Sequence, residues 1–497
     1  MDALQLLAGG FAAAMQPTNL LFAVIGCVLG TLVGVLPGLG PAAGIAILIP
    51  ITFNLDPTPA IIMMAAIYYG AMYGGTITSV LINTPGEAAS AVTCLDGYEM
   101  AKQGRAGAAL AIAAIGSFVG GSIAVLGLVF LAIPLTRLAL MLGSPETFAL
   151  IVLALSLVTG LGGKSIVRSL ISALIGFLLA TWGIDPGTGT PRLAFGKPEL
   201  MDGIEIVSVV MGMFGIGEIL LNAEQVIGTA VTGRVSSLAL SAKDMKDSVG
   251  PILRGTGIGF FFGIVPGLGA MTAAFMSYIA EKRVSKTPEK FGTGMIEGVA
   301  GPETANNACA TAAMIPMFTL GIPGSSAAAI LMGALIIHGL TPGPLLFKDH
   351  PDFVWTVIAS MYIGNVVLVI LNLPLIQIWI SILKVPYSIL FAVILLFCLV
   401  GAFSLNSSVF DMGVLVVFGI LGYAFKKLDF PIAPLVLTLI LGPLMERGLR
   451  QSLQGSAGDF SVFFTRPVTA VLLALSLLVL VSSGMRLFSR QPKSEAT

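Results

Sequence analysis

The chain has 497 residues, of which 56% are hydrophobic and only 10% charged, and its mean hydropathy is +0.99. Soluble proteins carry about 25% charged residues, so this composition excludes a soluble globular protein and indicates an all-α polytopic membrane protein. The zero formal net charge gives no electrostatic support for binding nucleic acid, and the four scattered cysteines show neither metal-ligand nor disulfide spacing.

In the first half, helix-breaking sequences interrupt two apolar runs. Pro37-Gly38-Leu39-Gly40 interrupts the run 18–53, and Asn83-Thr84-Pro85-Gly86 interrupts the run 60–93. Proline lacks an N–H and glycine has a poor helical preference, so each break should end a helix and leave backbone groups unpaired. We predict a hairpin over 18–53, a broken helix over 60–93, plain spans at about 106–133, 146–161, 166–183 and 204–222, and a polar connector over 223–254.

The second half repeats this plan. Pro-Gly-Leu-Gly returns as Pro266-Gly267-Leu268-Gly269, and Gly30 and Gly34 return at the same offset as Gly259 and Gly263. We predict a hairpin over 255–280 and a broken helix over 304–337, interrupted at Gly321-Ile322-Pro323-Gly324, which aligns with the break at Asn83–Gly86. Spans at about 353–383, 387–403, 409–425 and 431–445 follow. Residues 446–497 should form an external loop, a final span at about 467–488 and a cytoplasmic tail.

Charge indicates the orientation of the hairpins. The first basic residue is Lys102, whereas both flanks of 255–280 are basic. Lys and Arg favour cytoplasmic loops, so the first hairpin should open to the outside and the second to the cytoplasm, each re-entrant. This predicts two inverted-topology repeats, 1–222 and 255–445, each with a re-entrant hairpin and a broken helix, and about 11 full spans. Inverted repeats with matched helix breaks are typical of alternating-access transporters.

The helix breaks supply candidate ligands. A helix that restarts after Pro-Gly presents N–H groups to an anion, and unwound carbonyls suit Na⁺. A single break is equally well explained by close helix packing, but two matched pairs favour a site. The predicted substrate contacts are Asn83, Thr84, Pro85, Gly86, Asn306, Asn307, Gly321, Pro323, Gly324, Ser325 and Ser326. The predicted cation contacts, through carbonyls at the hairpin tips, are Pro37, Gly38, Gly40, Pro266, Gly267 and Gly269.

Two carboxylates, Glu87 and Glu303, accompany the breaks. An intramembrane carboxylate marks a functional site by default, although a solvated residue near a loop is equally consistent. Glu87 could lie outside the cavity, carry a proton or bind the coupling cation. The breaks have abundant neutral oxygens, and no Lys or Arg lies within 60–93 or 304–337, which together favour Na⁺ over H⁺ as the coupling ion. We predict no cofactor and no metal other than this Na⁺.

Signs of catalysis are few. His338 and His350 are the only histidines and form no helical metal pair. The stretch 160–165, GLGGKS, resembles a phosphate-binding loop, but Val158 stands where that motif has its first glycine. We therefore predict that the protein is not an enzyme.

Two long stretches, YYGAMYGGTITSVLINTPGEAASAVTCLDGYEMAKQGRAG (68–107) and GPETANNACATAAMIPMFTLGIPGSSAAAILMGALIIHGLTPGP (301–344), carry a family resemblance. With both Pro-Gly-Leu-Gly motifs, the chain resembles the large membrane subunit of the tripartite tricarboxylate transporters over nearly its whole length. The resemblance implies a multi-pass protein of the bacterial inner membrane that imports tricarboxylates such as citrate, or related carboxylates.

The same resemblance implies a mechanism and partners. Uptake would be secondary active transport, driven by a Na⁺ or H⁺ gradient, with alternating access of elevator type. A small membrane subunit and a periplasmic solute-binding protein would be the partners. The substrate is left open, and so are two alternatives, a carboxylate channel and a non-transporting membrane scaffold subunit. An intramembrane enzyme would need a nucleophile–base or metal constellation that the sequence lacks.

Overall fold

A computed structural model of the chain describes residues 3–161, 165–185, 187–224, 238–382 and 387–489. The helices up to residue 223 are α1 (Ala3–Ala14), α2 (Pro17–Val35), α3 (Gly40–Leu48), α4 (Pro57–Ile82), α5 (Thr93–Lys102), α6 (Ala106–Leu140), α7 (Ser144–Leu161), α8 (Ile166–Ala180), α9 (Ile206–Val210) and α10 (Gly217–Ala223). A π-helical segment, Met211–Ile216, joins α9 to α10.

The helices after residue 241 are α11 (Ala242–Ile264), α12 (Gly269–Val284), α13 (Glu297–Ala312), α14 (Met314–Leu320), α15 (Ser326–Ile337), α16 (Pro344–Asp349), α17 (Pro351–Asn372), α18 (Ile376–Ile382), α19 (Tyr387–Asn406), α20 (Val409–Lys427), α21 (Ile432–Gly455), α22 (Val462–Thr465) and α23 (Pro467–Ser489). Short 3₁₀ helices lie at Ile49–Thr52, Ala88–Val92, Pro198–Leu200 and Pro288–Lys290. Two short strands, β1 (Gly183–Ile184) and β2 (Pro191–Arg192), pair antiparallel.

Helix length and composition confirm the predicted all-α polytopic membrane protein. Within the described ranges, eight helices are long and apolar enough to cross a membrane: α2, α4, α6, Ile206–Ala223, α17, α20, α21 and Pro467–Met485. Further apolar helices, among them α1, α8 and α15, are shorter. The number of about 11 spans, the re-entrant course of the hairpins and the inverted topology stay predictions.

The chain forms two compact units, each drawn from two stretches of sequence. The first comprises Met1–Ala139 and Val207–Tyr423, and the second comprises Leu140–Ile206 and Ala424–Thr497. These units are not the predicted repeats, which are successive halves of the chain, and the repeat division stays a prediction. Both hairpins and both broken helices belong to the first unit.

The two broken helices form the core of the first unit. Every residue of α4 from 59 to 81 is buried, and so is every residue of α13 from 298 to 312. A helix that is buried all round belongs to the centre of a structure rather than to its lipid-facing surface. The polar residues of both broken helices are therefore enclosed by protein.

A glycine stripe fits each hairpin against its broken helix. Backbones in contact leave no room for a side chain: a Cβ on Gly34 would lie 2.2 Å from the carbonyl oxygen of Ala71, and one on Gly259 would lie 2.3 Å from that of Ala305. Small residues every fourth position allow such close approach. The stripes are Gly26, Gly30 and Gly34 of α2, and Gly255, Gly259 and Gly263 of α11.

Several helix bounds differ from the predicted ones. Helix α6 continues to Leu140 instead of ending at 133, and α11 begins at Ala242 rather than at 255. The early start of α11 has a local cause, since Ser241 and Asp244 form a reciprocal capping box that starts a helix in polar sequence. Residues 242–254 thus belong to the hairpin and not to the polar connector.

Two bounds in the second half also need correction. The run 353–383 is not one helix, because α17 ends at Asn372 and α18 begins at Ile376, with Pro374 between them. Helix α21 continues to Gly455, where a loop was predicted from 446. Residues 225–237 of the predicted connector, and part of the stretch 160–165, lie outside the described residues.

Candidate functional site

The two Pro-Gly-Leu-Gly tips have the same backbone conformation. The residue after the first arm is extended in both, Leu36 with φ −86° and ψ 109° and Val265 with φ −87° and ψ 113°. Both glycines of each motif then take positive φ, which favours glycine: Gly38 +85°, Gly40 +61°, Gly267 +87° and Gly269 +68°. The repeated sequence therefore ends one helix and starts the next in the same way twice.

The two helix breaks also match each other. The residue that follows α4, Asn83 (φ 54°, ψ 31°), and the residue that follows α14, Gly321 (φ 70°, ψ 27°), are both left-handed. The next helix starts from an extended residue, Glu87 (φ −142°, ψ 164°) after the first break and Ser325 (φ −149°, ψ 168°) after the second. Glu87 and Ser325 are thus corresponding N-cap residues, each the fourth residue after the left-handed one.

Glu87 caps the helix that follows the first break. Its Oε2 accepts the N–H of Ala89 at 2.7 Å, and the Ser90 hydroxyl accepts the N–H of Glu87 at 3.4 Å. Its Oε1 accepts Nδ2 of Asn306 at 2.9 Å, and the residue is only 6% exposed. Of the alternatives considered for Glu87, a solvated position is therefore wrong. The protein's own carboxylate occupies this helix N-terminus.

Ser325 caps α15 with a hydroxyl instead of a carboxylate. Its Oγ accepts the N–H of Ala328 at 3.2 Å and hydrogen bonds to the Tyr68 hydroxyl at 2.8 Å. Tyr68 and Asn306 are separated along the chain by the same distance as Glu87 and Ser325. The bonds Glu87–Asn306 and Ser325–Tyr68 are therefore equivalent, and each joins one break to the buried helix that precedes the other.

Glu303 is a second enclosed carboxylate, only 1% exposed. Its Oε2 accepts the hydroxyl of Thr76 at 2.6 Å, and its Oε1 accepts the hydroxyl of Thr93. One turn later, Nδ2 of Asn307 donates to the hydroxyl of Ser117 at 2.7 Å. Sequence reasoning missed Thr93 and Ser117, which lie in α5 and α6, outside the predicted broken helix 304–337 that begins next to Glu303.

The site has an excess of hydrogen-bond acceptors. Within the described part of the chain, neither Glu87 nor Glu303 forms an ion pair, and the side-chain oxygens of Asn306 and Asn307 are buried without a hydrogen-bond partner. The same part of the chain contains no group of three His, Cys, Asp or Glu that could hold a metal ion. Since a buried negative charge is costly without compensation, the arrangement suits a bound cation or proton.

The other predicted site residues lie around this centre. At the first break Asn83 is exposed, Thr84 and Pro85 are half-buried, and Gly86 is buried with its N–H donated to the carbonyl of Gly75 at 3.4 Å. The second break is more enclosed: its buried residues are Gly321, Pro323 and Gly324, and its half-buried residues are Ser325 and Ser326.

The hairpin tips adjoin the breaks. In the second half, the N–H of Gly267 donates to the carbonyl of Gly324 at 3.4 Å. In the first half, a Cβ on Gly40 would lie 4.0 Å from Cβ of Glu87. The remaining predicted tip residues, Pro37, Gly38, Pro266 and Gly269, are half-buried. The structure therefore brings the predicted cation contacts close to the predicted substrate contacts.

Comparison with known families identifies the chain. It matches the description "Tripartite tricarboxylate transporter TctA family" over residues 20–437. The protein belongs to this family. Members of the TctA family are the large subunits of tripartite tricarboxylate transporters, so the prediction that the chain is a transporter subunit and not an enzyme is confirmed.

Two relatives from Agrobacterium vitis extend this result. The chain is 48% identical over 482 residues to an "Uncharacterized 52.8 kDa protein in TAR-I ttuC' 3'region", covering 97% of this chain and 96% of that one. It is 48% identical over 223 residues to an "Uncharacterized protein in TAR-II ttuC' 3'region", covering 45% of this chain and 92% of that one. No solved structure matches this TctA family member significantly.

Proposed function

We propose that this TctA family protein is the transport subunit of a secondary active importer of tricarboxylates or related carboxylates in the bacterial inner membrane. A small membrane subunit and a periplasmic solute-binding protein complete the transporter, and a Na⁺ or H⁺ gradient drives it. The observation that carries the proposal is the pair of equivalent hydrogen bonds that joins two matched helix breaks inside a buried, acceptor-rich centre.

The substrate carboxylate binds at the second break. There the N-terminus of α15 is capped by a neutral hydroxyl, that of Ser325, and Ser326 begins the helix. A helix N-terminus favours negative charge through its N–H groups and its dipole. At the first break the carboxylate of Glu87 already takes this position. The two breaks therefore differ in charge, and the second is the one suited to an external anion.

A cation binds with the substrate. A di- or tricarboxylate placed near Glu87 and Glu303 adds negative charge to a centre that already has two buried carboxylates. Neutral donors, each contributing about 1 kcal/mol, cannot offset this charge by themselves. Backbone carbonyls at the tips, next to Glu87 and Gly324, supply oxygen ligands for Na⁺. Binding of the cation then makes substrate binding favourable, which couples the two movements.

The matched breaks support alternating access. Two repeats of opposite orientation can exchange their conformations across the membrane, so that a central site opens first to one side and then to the other. The equivalent bonds Glu87–Asn306 and Tyr68–Ser325 are the contacts expected at the interface between such repeats. We assign the movement to the elevator type, with the two broken helices and the hairpins carrying the substrate together.

Uptake of labelled citrate and other carboxylates by vesicles that contain all three proteins tests this proposal. Changing Ser325 and Ser326 together to Ala should lower uptake by about 30-fold, since two hydrogen bonds to the substrate, each of about 1 kcal/mol, are lost. Pro323→Ala should lower it further, because the helix can then close over the break. The matched control changes the exposed Ser381 and Ser404 to Ala, whose hydroxyls bond only to carbonyls of their own helices.

The outcomes separate the alternatives. Accumulation above the external concentration under an imposed Na⁺ or pH gradient is expected of a secondary transporter. Equilibration without accumulation would indicate a carboxylate channel. Normal uptake by the Ser325/Ser326 double variant and by the Pro323 variant would place the site elsewhere. Uptake that proceeds in vesicles lacking this chain would leave it a scaffold.

A further inference from the structure

We propose that Glu303 binds and releases a proton during each transport cycle. This inference rests on the proposed transport function and adds a second coupling group, separate from the carbonyl oxygens at the hairpin tips. It is carried by the chemistry of the groups that surround Glu303, by its complete enclosure, and by a small cavity that one of its partners lines.

The partners of Glu303 can satisfy it in both protonation states. Both carboxylate oxygens accept hydroxyl groups, from Thr76 and from Thr93. A hydroxyl donates or accepts as required, and a helical threonine can turn its proton to the carbonyl four residues earlier, which for Thr76 is that of Met72. Ionised Glu303 accepts both hydroxyls, whereas protonated Glu303 donates its own O–H to Oγ1 of Thr76. In neither protonation state do the side-chain oxygens of Glu303, Thr76 and Thr93 lack a hydrogen-bond partner.

Glu87 has different partners. Its oxygens accept N–H groups, one from the backbone of Ala89 at the positive end of a helix and one from the amide of Asn306. A backbone N–H can only donate, and the helix end favours a negative charge. The surroundings of Glu87 thus stabilise the anion, while those of Glu303 accommodate either form. Of the two buried carboxylates, Glu303 is the one built for exchange of a proton.

The charged and titratable groups that face Glu303 are few. Glu87, before the 3₁₀ helix, and Cys94 of α5 interact electrostatically with Glu303. Tyr73 of α4 lines a cavity beside Thr76. Asp96 of α5 lies against Gly298 of α13 and accepts the hydroxyl of Tyr278 at 2.9 Å. Toward the start of α13, Glu281 of α12 lies at Gly301 and is ion-paired with Arg254 at 2.5 Å. Among these described neighbours the only cation is already neutralised, so a proton is the available partner for the Glu303 charge.

A cavity beside Thr76 provides room for a water molecule next to this site. It measures about 10 Å³ and is lined by Tyr73, Thr76, Ser117 and Asn372 together with apolar side chains. That volume is enough for one water molecule. Within the described chain, the Tyr73 hydroxyl and Oδ1 of Asn372 are buried without a hydrogen-bond partner, and a water there would satisfy both. Thr76 lines the cavity and also bonds to Glu303, so it connects the two.

The transfer balances without another reagent. A hydronium ion in the cavity donates a proton to the Thr76 hydroxyl. The Thr76 proton passes to Oε2 of Glu303 while Thr76 takes the incoming one, and a neutral water is left. Release on the other side of the membrane runs through the same exchange in reverse. Glu303 then returns to the ionised state with both hydroxyl bonds restored.

Steady-state accumulation in vesicles of the complete three-protein transporter tests the inference. External pH, the Na⁺ gradient and the membrane potential are held constant while the internal pH is raised by one unit, within the range in which the labelled carboxylate is fully ionised on both sides of the membrane. Accumulation by the natural protein should rise by about tenfold per proton carried, which is the proton ratio of one pH unit. Glu303→Gln should show no rise. Glu297→Gln, the matched change at the start of α13, should respond as the natural protein does.

A response of Glu303→Gln equal to that of the natural protein would overturn the inference, as would the absence of any response in the natural protein. If no variant or condition gives uptake, the transport function itself fails, which is a different result. If there is no uptake, or if Glu303→Gln cannot transport, infrared titration of the purified complex tests directly whether Glu303 binds a proton. The signal of a protonated carboxyl group should appear as the pH falls and be missing in Glu303→Gln. Identical titrations of the two proteins would refute the proton site.

Discussion

Nδ2 of Asn306 donates a hydrogen bond to Oε1 of Glu87 at 2.9 Å, which joins the first helix break to the buried helix that leads into the second. The corresponding pair, at the equivalent positions of the two halves, is Ser325 with Tyr68 at 2.8 Å. Each N-cap is therefore held by the buried helix that leads into the other break. A movement at one break should therefore displace the buried helix that leads into the other, as expected if the two breaks form one site.

Removing the Asn306 amide should destabilise the first break. Asn306→Ala leaves Oε1 of Glu87 buried without a donor, which costs about 1–3 kcal/mol. The midpoint of thermal unfolding should fall, and a double-mutant cycle of Asn306→Ala with Glu87→Gln should show a coupling free energy of the same order. Additive effects of the two changes would show that this bond does not link the breaks.

Helix α11 should tolerate a methyl group at Gly257 but not at Gly259, which belongs to the glycine stripe. Gly259→Ala places a Cβ 2.3 Å from the carbonyl oxygen of Ala305, so the hairpin must move away at a cost of about 1–3 kcal/mol. Gly257→Ala, on the same helix, meets no atom within 4 Å and serves as the control. Thermal stability of the purified protein should fall only for Gly259→Ala, and equal stability of the two variants would contradict backbone packing here.

The predicted inverted topology can be tested by labelling. In a variant without natural cysteines, a single cysteine at Asp56 should react from the outside and one at Lys286 from the cytoplasm, because basic residues flank only the second hairpin. A cysteine at Glu289, in the same loop as Lys286, should label as Lys286 does. Reaction of Asp56 and Lys286 from the same face would rule out opposite orientations of the hairpins.

The second compact unit contains an ion cluster around Asp185. Asp185, in the turn between β1 and β2, accepts the N–H of Gly187 at 2.7 Å and Nη2 of Arg450 at 2.6 Å. The Gly187 bond, followed by the Arg450 guanidinium, lowers the pKa of Asp185 from 3.8 to about 2. Because the folded pKa is the lower one, this stabilisation is present above pH 3.8 and is lost as the pH falls toward 2.

Replacing Asp185 by Asn should therefore lower the thermal midpoint at pH 7, and the difference from the natural protein should narrow as the pH falls below about 4. Asp352, an acidic residue in the first turn of α17, provides the control substitution Asp352→Asn. A difference that stays constant with pH would mean that the charge of Asp185 contributes nothing to the cluster.

The sequence by itself determined the class of protein and the places where its helices break. The reason is local: proline lacks a backbone N–H, and glycine readily adopts the positive φ found at Gly38, Gly40, Gly267 and Gly269. The repetition of these residues allowed the two pairs of breaks to be predicted, and the two long motifs indicated the family. Helix ends were predicted less well, since the Ser241–Asp244 cap and the pairing of Glu446 with Arg450 act in polar sequence where apolar runs give no signal.

Only the tertiary structure decided which polar groups meet. Glu303 is adjacent in sequence to none of its partners, and Thr76 and Thr93 reach it from α4 and α5. The same is true of Glu87 and Asn306. A carboxylate within an apolar run shows that a partner is needed, because a buried charge is costly. Its partner depends on how helices distant in the chain pack side by side, and no local pattern contains that information.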